Sequence, residues 1–199
     1  MAVMSAGEAD PQQRPLTVAD LERMPDDGNR YELVDGRLDV SPAPVSLHTL
    51  IESRLTIHLG VLAPEDVMVL AGPGINLDEQ RTHHRIPDVA AIGEADFERP
   101  YLSRPPLLAI EVVSPESVFR DHHTKAREYA EFGVASYWIV NPAPDKPGIA
   151  EFRLDGGSYR EVTQVFGQDT FRTEAPFPVT LVPHWLVAAG PWKTRIGGE

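Results

Sequence analysis

Leu107-Leu108-Ala109-Ile110-Glu111-Val112-Val113 is a run of seven residues in which only Glu111 is not apolar. A short apolar run closed by Ser114-Pro115 reads as a buried strand. Ile86-Pro87-Asp88-Val89-Ala90-Ala91-Ile92 repeats the form, with Asp88 as the odd member. A carboxylate among apolar neighbours is costly to desolvate unless it is paired, protonated or bound to a cation. Two such strands suggest one purpose, a divalent metal held between Asp88 and Glu111.

Outward from these runs the pattern is mixed. After Glu111, residues 121–132 read as a helix ended by Gly133, and Ser136-Tyr137-Trp138-Ile139-Val140 as a strand stopped by Asn141-Pro142. Upstream, Arg30 to Val34 and Arg37 to Val40 flank Asp35-Gly36, a hairpin signal. Leu47, Leu50, Ile51, Leu55, Leu59 and Leu62 recur at helical spacing, and Thr17-Val18-Ala19-Asp20 has capping-box spacing. Val67 to Ala71 reads as a strand and Ile75 to Leu77 as the start of another. Residues 149–154 and 158–164 form a second hairpin about Asp155-Gly156-Gly157, with edge segments at Phe171 and 177–181. The order predicts an α/β (α+β) fold, a mixed β-sheet flanked by a few helices. A single domain is expected over residues 15–189, between disordered tails at 1–14 and 190–199.

The chain has 199 residues, 42% of them hydrophobic, which suffices for one core. The absence of cysteine removes disulfides, thiol nucleophiles and cysteine-based zinc sites, and is compatible with a cytoplasmic protein. No apolar run approaches a membrane span, and the amino terminus lacks the pattern of a signal peptide. A formal charge of −12 weighs against nucleic-acid binding, since affinity for phosphates comes largely from Lys and Arg. Basic residues nevertheless cluster beside both odd acids: Arg81, His83, His84 and Arg85 before Asp88, and Arg120, His122, His123, Lys125 and Arg127 after Glu111. Solvated surface is the ordinary reading of such runs; Arg85 and His122 are the substrate-binding candidates among them.

Asp121, Lys125 and Tyr129 share one helical stripe, so Lys125 can lean over a metal site to orient water or stabilise charge on a phosphate. Its alternative is a surface pair with Asp121. Glu32, on the strand face opposite Tyr31 and Leu33, is either a third acid of the site or a solvent-facing residue. His48, near the start of the long helix, is a candidate contact to a phosphate or leaving group. Phosphate loops, dinucleotide fingerprints, His-Glu-x-x-His helices and serine elbows are all missing.

Together, Tyr31-Glu32-Leu33-Val34-Asp35-Gly36-Arg37-Leu38, His48, Pro87-Asp88-Val89, Glu111-Val112-Val113-Ser114-Pro115, the helix with Asp121 and Lys125 to Tyr129, and Gly133-Val134 leading to Tyr137-Trp138-Ile139-Val140 resemble the Uma family of restriction endonucleases, the second of that name, in the PD-(D/E)XK nuclease superfamily. The resemblance spans roughly residues 16–165. It implies a restriction-endonuclease-like core, Mg²⁺-dependent cleavage of DNA with Mn²⁺ as a substitute, and often a homodimer. Asp88 and Glu111 would be metal ligands, with the Val112 carbonyl as a third; Glu32, Asp88, Glu111 and Lys125 would form the catalytic set. The superfamily lysine usually stands two positions after the Glu, where this chain has Val113, and Lys125 takes its place. Asn141 departs from the usual Asp. A catalytically silent nuclease-fold module for DNA binding or assembly, and a small-molecule phosphohydrolase, remain the alternatives.

Overall fold

The computed structural model describes residues 14–113 and 120–198. The expected N-terminal tail lies outside the described residues except for Arg14, which is bound to Asp20. The Ser114-Pro115 strand end also lies outside them. The chain is a mixed α+β fold.

Its main sheet has six strands: β3 (Val67–Ala71), β6 (Val89–Gly93), β7 (Leu108–Val112), β8 (Ser136–Asn141), β9 (Gly148–Asp155) and β10 (Ser158–Phe166). Their order is β10-β9-β8-β7-β6-β3, and β7-β8 is the one parallel pair among them. Parallel neighbours need a crossover, and here it contains a π-helical turn (Arg120–Lys125) that runs into α3 (Ala126–Phe132). The sequence predicts a regular helix over 121–132; the first part is instead wound wider, a form that recurs at functional sites. Gly133, at φ 98°, ends α3 in the left-handed conformation that disfavours other residues.

A smaller sheet, ordered β2-β1-β5-β4, contains β1 (Arg30–Val34), β2 (Arg37–Ser41), β4 (Ile75–Asn76) and β5 (His84–Arg85). Asp35 and Gly36, at φ 50° and 73°, make the tight turn between β1 and β2. The predicted acid-bearing strand starts later than expected, at Val89. Ile86 and Pro87 form the crossing between sheets, where proline lacks a ladder donor and the Ile86 N–H goes to Glu32 Oε1 at 2.7 Å. The short α1 (Val18–Leu21) has the expected capping box, with Thr17 N–H donating to Asp20 Oδ2 at 2.9 Å.

Strand alternation divides the core. Val89, Ala91, Leu108, Ile110 and Val112 pack on Ile51, Leu55 and Leu59 of α2 (Ser46–Leu62). Ala109 and Val113 point to the other face, against Tyr129 of α3 and Tyr137 and Ile139 of β8. Glu111 follows that second face, so the β7-α3-β8 unit folds over it. The short ribbon of β11 (Phe171–Thr173) and β12 (Val179–Leu181) closes the first face.

Residues 190–198 are not the expected loose tail, and Glu199 lies outside the described residues. After α4 (His184–Val187), α5 (Trp192–Arg195) turns Ile196 into the core at 2% exposure. The Val182 N–H donates to the Ile196 carbonyl at 2.8 Å, and Arg54 stacks over Trp192 at 5.0 Å. A single buried apolar residue in a short polar stretch gives no periodicity to read. No helix among the described residues is long and apolar enough to cross a membrane.

Candidate functional site

Asp88 and Glu111 meet at one end of the main sheet. The β6-β7 register pairs Val89 with Ile110, so extending it by one position sets Asp88 opposite Glu111. Both carboxylates are buried, at 1% and 3% exposure. Asp88 Oδ2 accepts the Val112 N–H at 2.7 Å, so Val112 touches the site as a donor. Asp88 Oδ1 lies 2.7 Å from Arg30 Nη1 and 3.0 Å from His48 Nε2, the latter at ion-pair distance but out of line for a hydrogen bond. Burial alone would raise this carboxyl; His48, Arg30 and the Val112 N–H outweigh it and hold the pKa at about 2.

Glu111 is held from α3 and the turn before it. Lys125 Nζ and Tyr129 Oη each stand 2.9 Å from its Oε1, which places both on one helical stripe as the spacing predicts. Lys125 is 2% exposed and also reaches Glu32 Oε1 at 3.3 Å. Lys125 is therefore not a surface residue: it is a buried cation that touches both Glu111 and Glu32; the side chain of Asp121 lies outside the described residues. Glu32 is equally buried, and although desolvation opposes its charge, Lys125, Arg85 and the Ile86 N–H keep its pKa below the usual range.

Arg85 is not available to a substrate as expected. It is 1% exposed, with Nε and Nη2 donating to the two oxygens of Glu128 at 2.7 and 3.0 Å. Its Nη1 bridges Glu32 at 3.2 Å and Asp39 at 3.1 Å. Glu32 and Asp39 are cross-strand partners in the β1-β2 hairpin, a like-charge pairing that is unfavourable without a cation between them. Arg85 is that cation, a brace behind the site. Burial raises Glu128 but His83 and Arg85 hold it at about 2. The basic runs that flank the acids in sequence thus divide in space: Arg85 and Lys125 turn inward as partners of the acids, while Arg81, His123 and Arg127 stay exposed. The side chain of His122 lies outside the described residues.

Sequence reasoning missed Arg30, Glu128 and the full role of Tyr129. Arg30 stands two residues before Glu32, hence on the same strand face, and Glu128 stands three after Lys125; both periodicities were available. Glu52, one turn after His48 on α2, lies close enough to Asp88 that burial and this neighbouring charge raise its pKa.

A mixed sheet with two opposed acids at one end, a lysine from the following crossover and a buried glutamate from a separate hairpin is now defined. The family model of Uma2, described as putative restriction endonucleases, matches residues 18–187. The chain belongs to this family. The Uma2 chain is also similar to the crystal structure of a putative nuclease belonging to DUF820 from Anabaena variabilis ATCC 29413. The TM-score is 0.61 at 14% identity, over 81% of this chain and 90% of that one, a likeness in fold. No curated protein sequence matches the chain.

The donor chemistry of this Uma2 chain suits a hard cation. Among the described residues no three His, Asp or Glu side chains form a closed metal cage. Mg²⁺ does not require one, because it retains water and is held by one or two carboxylates together with substrate phosphates. Asp88 and Glu111 are the two carboxylates that could hold such an ion, and a depressed pKa keeps Asp88 ionised at neutral pH.

Proposed function

We propose that the chain is a Mg²⁺-dependent endonuclease that hydrolyses DNA phosphodiester bonds. The observation that carries this reading is Lys125. It comes from outside the strand that bears Glu111, yet its ammonium lies 2.9 Å from that carboxylate in a nearly solvent-free setting. A superfamily member that has lost the lysine after its glutamate needs a cation at this location, and the crossover supplies it.

Asp88 and Glu111 would hold the cation. When bound, Mg²⁺ supplies Lewis-acid polarisation of a phosphate oxygen and a lowered pKa for its water. Lys125 holds a positive charge where negative charge builds on phosphorus, and its three donors orient the attacking water. Glu32, 3.3 Å from its ammonium, helps to position Lys125. Tyr129, whose phenol is kept protonated by burial and by Glu111, fixes the Glu111 rotamer. His48, 18% exposed and beside Asp88, would meet the leaving group or a phosphate. DNA as substrate and a homodimer as the working unit rest on family membership.

Purified protein incubated with plasmid and Mg²⁺ or Mn²⁺ is expected to nick or linearise it, and Asp88→Ala or Glu111→Ala to abolish that. Cleavage unchanged by both substitutions sinks the assignment. The acidic charge favours one rival, a silent nuclease-fold module that binds or assembles without cutting. Calorimetry separates the two, since a nuclease must bind Mg²⁺ and a silent module need not.

A further inference from the structure

Four buried carboxylates, Glu32, Asp88, Glu111 and Glu128, share this end of the fold with two buried cations, Arg85 and Lys125. Arg30 is the next positive charge, and it differs from those two. Its side chain is 22% exposed, it begins β1 at the rim of the site, and it contacts Asp88 Oδ1 at 2.7 Å and the Ile86 carbonyl at 3.4 Å. The oxygen it holds belongs to the carboxylate assigned above to the divalent cation.

We infer that Arg30 is a phosphate-binding residue kept in reserve on Asp88, displaced by the divalent cation and thereby made available to the DNA backbone. The inference rests on the nuclease reading. Two cations on one carboxylate repel each other, so an ion taken up by Asp88 weakens the hold on Arg30. Arg85 and Lys125 are enclosed, whereas Arg30 has solvent on one side and can leave without opening the core. A guanidinium presents a planar fork of donors that matches two phosphate oxygens, a geometry a lysine lacks. By linkage, a phosphodiester that draws Arg30 away also strengthens cation binding at Asp88. Cation and substrate would then bind cooperatively.

The test compares the full-length protein with Arg30→Met, which keeps bulk without charge, and Arg30→Lys. Calorimetric titration with Mn²⁺ in the absence of DNA is expected to give about tenfold tighter binding in Arg30→Met. Binding of a DNA duplex in Ca²⁺ is expected to weaken by about tenfold in the same variant, with Arg30→Lys recovering only part. A residue that merely braces Asp88 gives the opposite sign, weaker Mn²⁺ binding, and that result or an unchanged affinity overturns the inference. Tighter Mn²⁺ binding with unchanged DNA affinity overturns the phosphate role. Failure of the wild-type protein to bind Mn²⁺ instead overturns the metal-dependent reading itself. If thermal melting shows Arg30→Met unfolded, Arg30→Gln, which also removes the charge, decides the same signs.

Discussion

Lys125 Nζ lies 2.9 Å from Glu111 Oε1, although the two residues belong to different elements and are separated by the connection from β7 to the crossover. Strand geometry explains how the chain can do without a lysine at Val113. Val113 shares the sheet face of Glu111, so either position can place an ammonium beside that carboxylate. Lys125→Met is expected to lower cleavage by about 10²- to 10³-fold, the scale for losing one preorganised charge stabiliser. Val113→Lys combined with Lys125→Met is expected to recover part of that loss in a plasmid-nicking assay. No recovery, in a double variant that remains folded, would count against an electrostatic role for this ammonium.

The Arg85 brace predicts a stability effect separate from catalysis. Arg85→Leu strips the buried Glu32 and Glu128 of their shared cation, and breaking a buried pair from one side typically costs about 3–5 kcal/mol. Urea denaturation of wild type and variant at pH 7 measures it. A cost below about 1 kcal/mol, the level of a surface pair, contradicts the brace.

Acid should unfold the protein through the same groups. Asp88 and Glu128 are held at about 2 and Glu32 below its ordinary value, so their folded pKa values are depressed. Depressed carboxyls stabilise the fold above their unfolded pKa values, and that contribution is lost as pH falls through the folded ones. Stability from these groups is therefore expected to be level above about pH 5 and to fall between there and about pH 2. Circular dichroism melts across that window check it; stability that rises on acidification refutes it.

His84 is a second acid-sensitive point. Burial lowers its pKa to about 4, and Nδ1 lies 2.8 Å from Asn76 Oδ1. A base that the fold keeps neutral destabilises the fold increasingly as pH drops from about 6.5 toward 4, because the unfolded chain takes up the proton first. The ring also presses on Gly74, where an added Cβ would lie 2.7 Å from His84 Cε1 and 2.6 Å from Tyr101 Cδ1. Gly74→Ala is expected to cost about 1–3 kcal/mol by overpacking, measured as a lowered Tm.

The C-terminal segment offers a test remote from the acids. Ile196→Ala is expected to cost about 2–5 kcal/mol, and deletion of residues 190–199 at least as much, since Trp192 and the Val182 ladder contact leave with it. A deletion variant as stable as the full chain would show that α5 contributes nothing to the core.

By itself the sequence determined the elements. The Asp35-Gly36 hairpin, the α2 stripe, the Thr17 capping box, the Gly133 stop, the strand bearing Glu111 and the strand that follows Asp88 all follow from spacing within one short segment, because periodicity and turn chemistry are local. Lys125 was legible for the same reason, as part of a stripe with Tyr129. Tertiary structure decided which charges face one another. Arg85 reads in sequence as a substrate-binding candidate in a cluster of four basic residues, yet it pairs with Glu128, 43 positions away, and Arg30 pairs with Asp88 across 58. Whether an arginine meets solvent, a substrate or a buried acid depends on distances across the fold, and in a low-dielectric interior those distances set both its energy and its role.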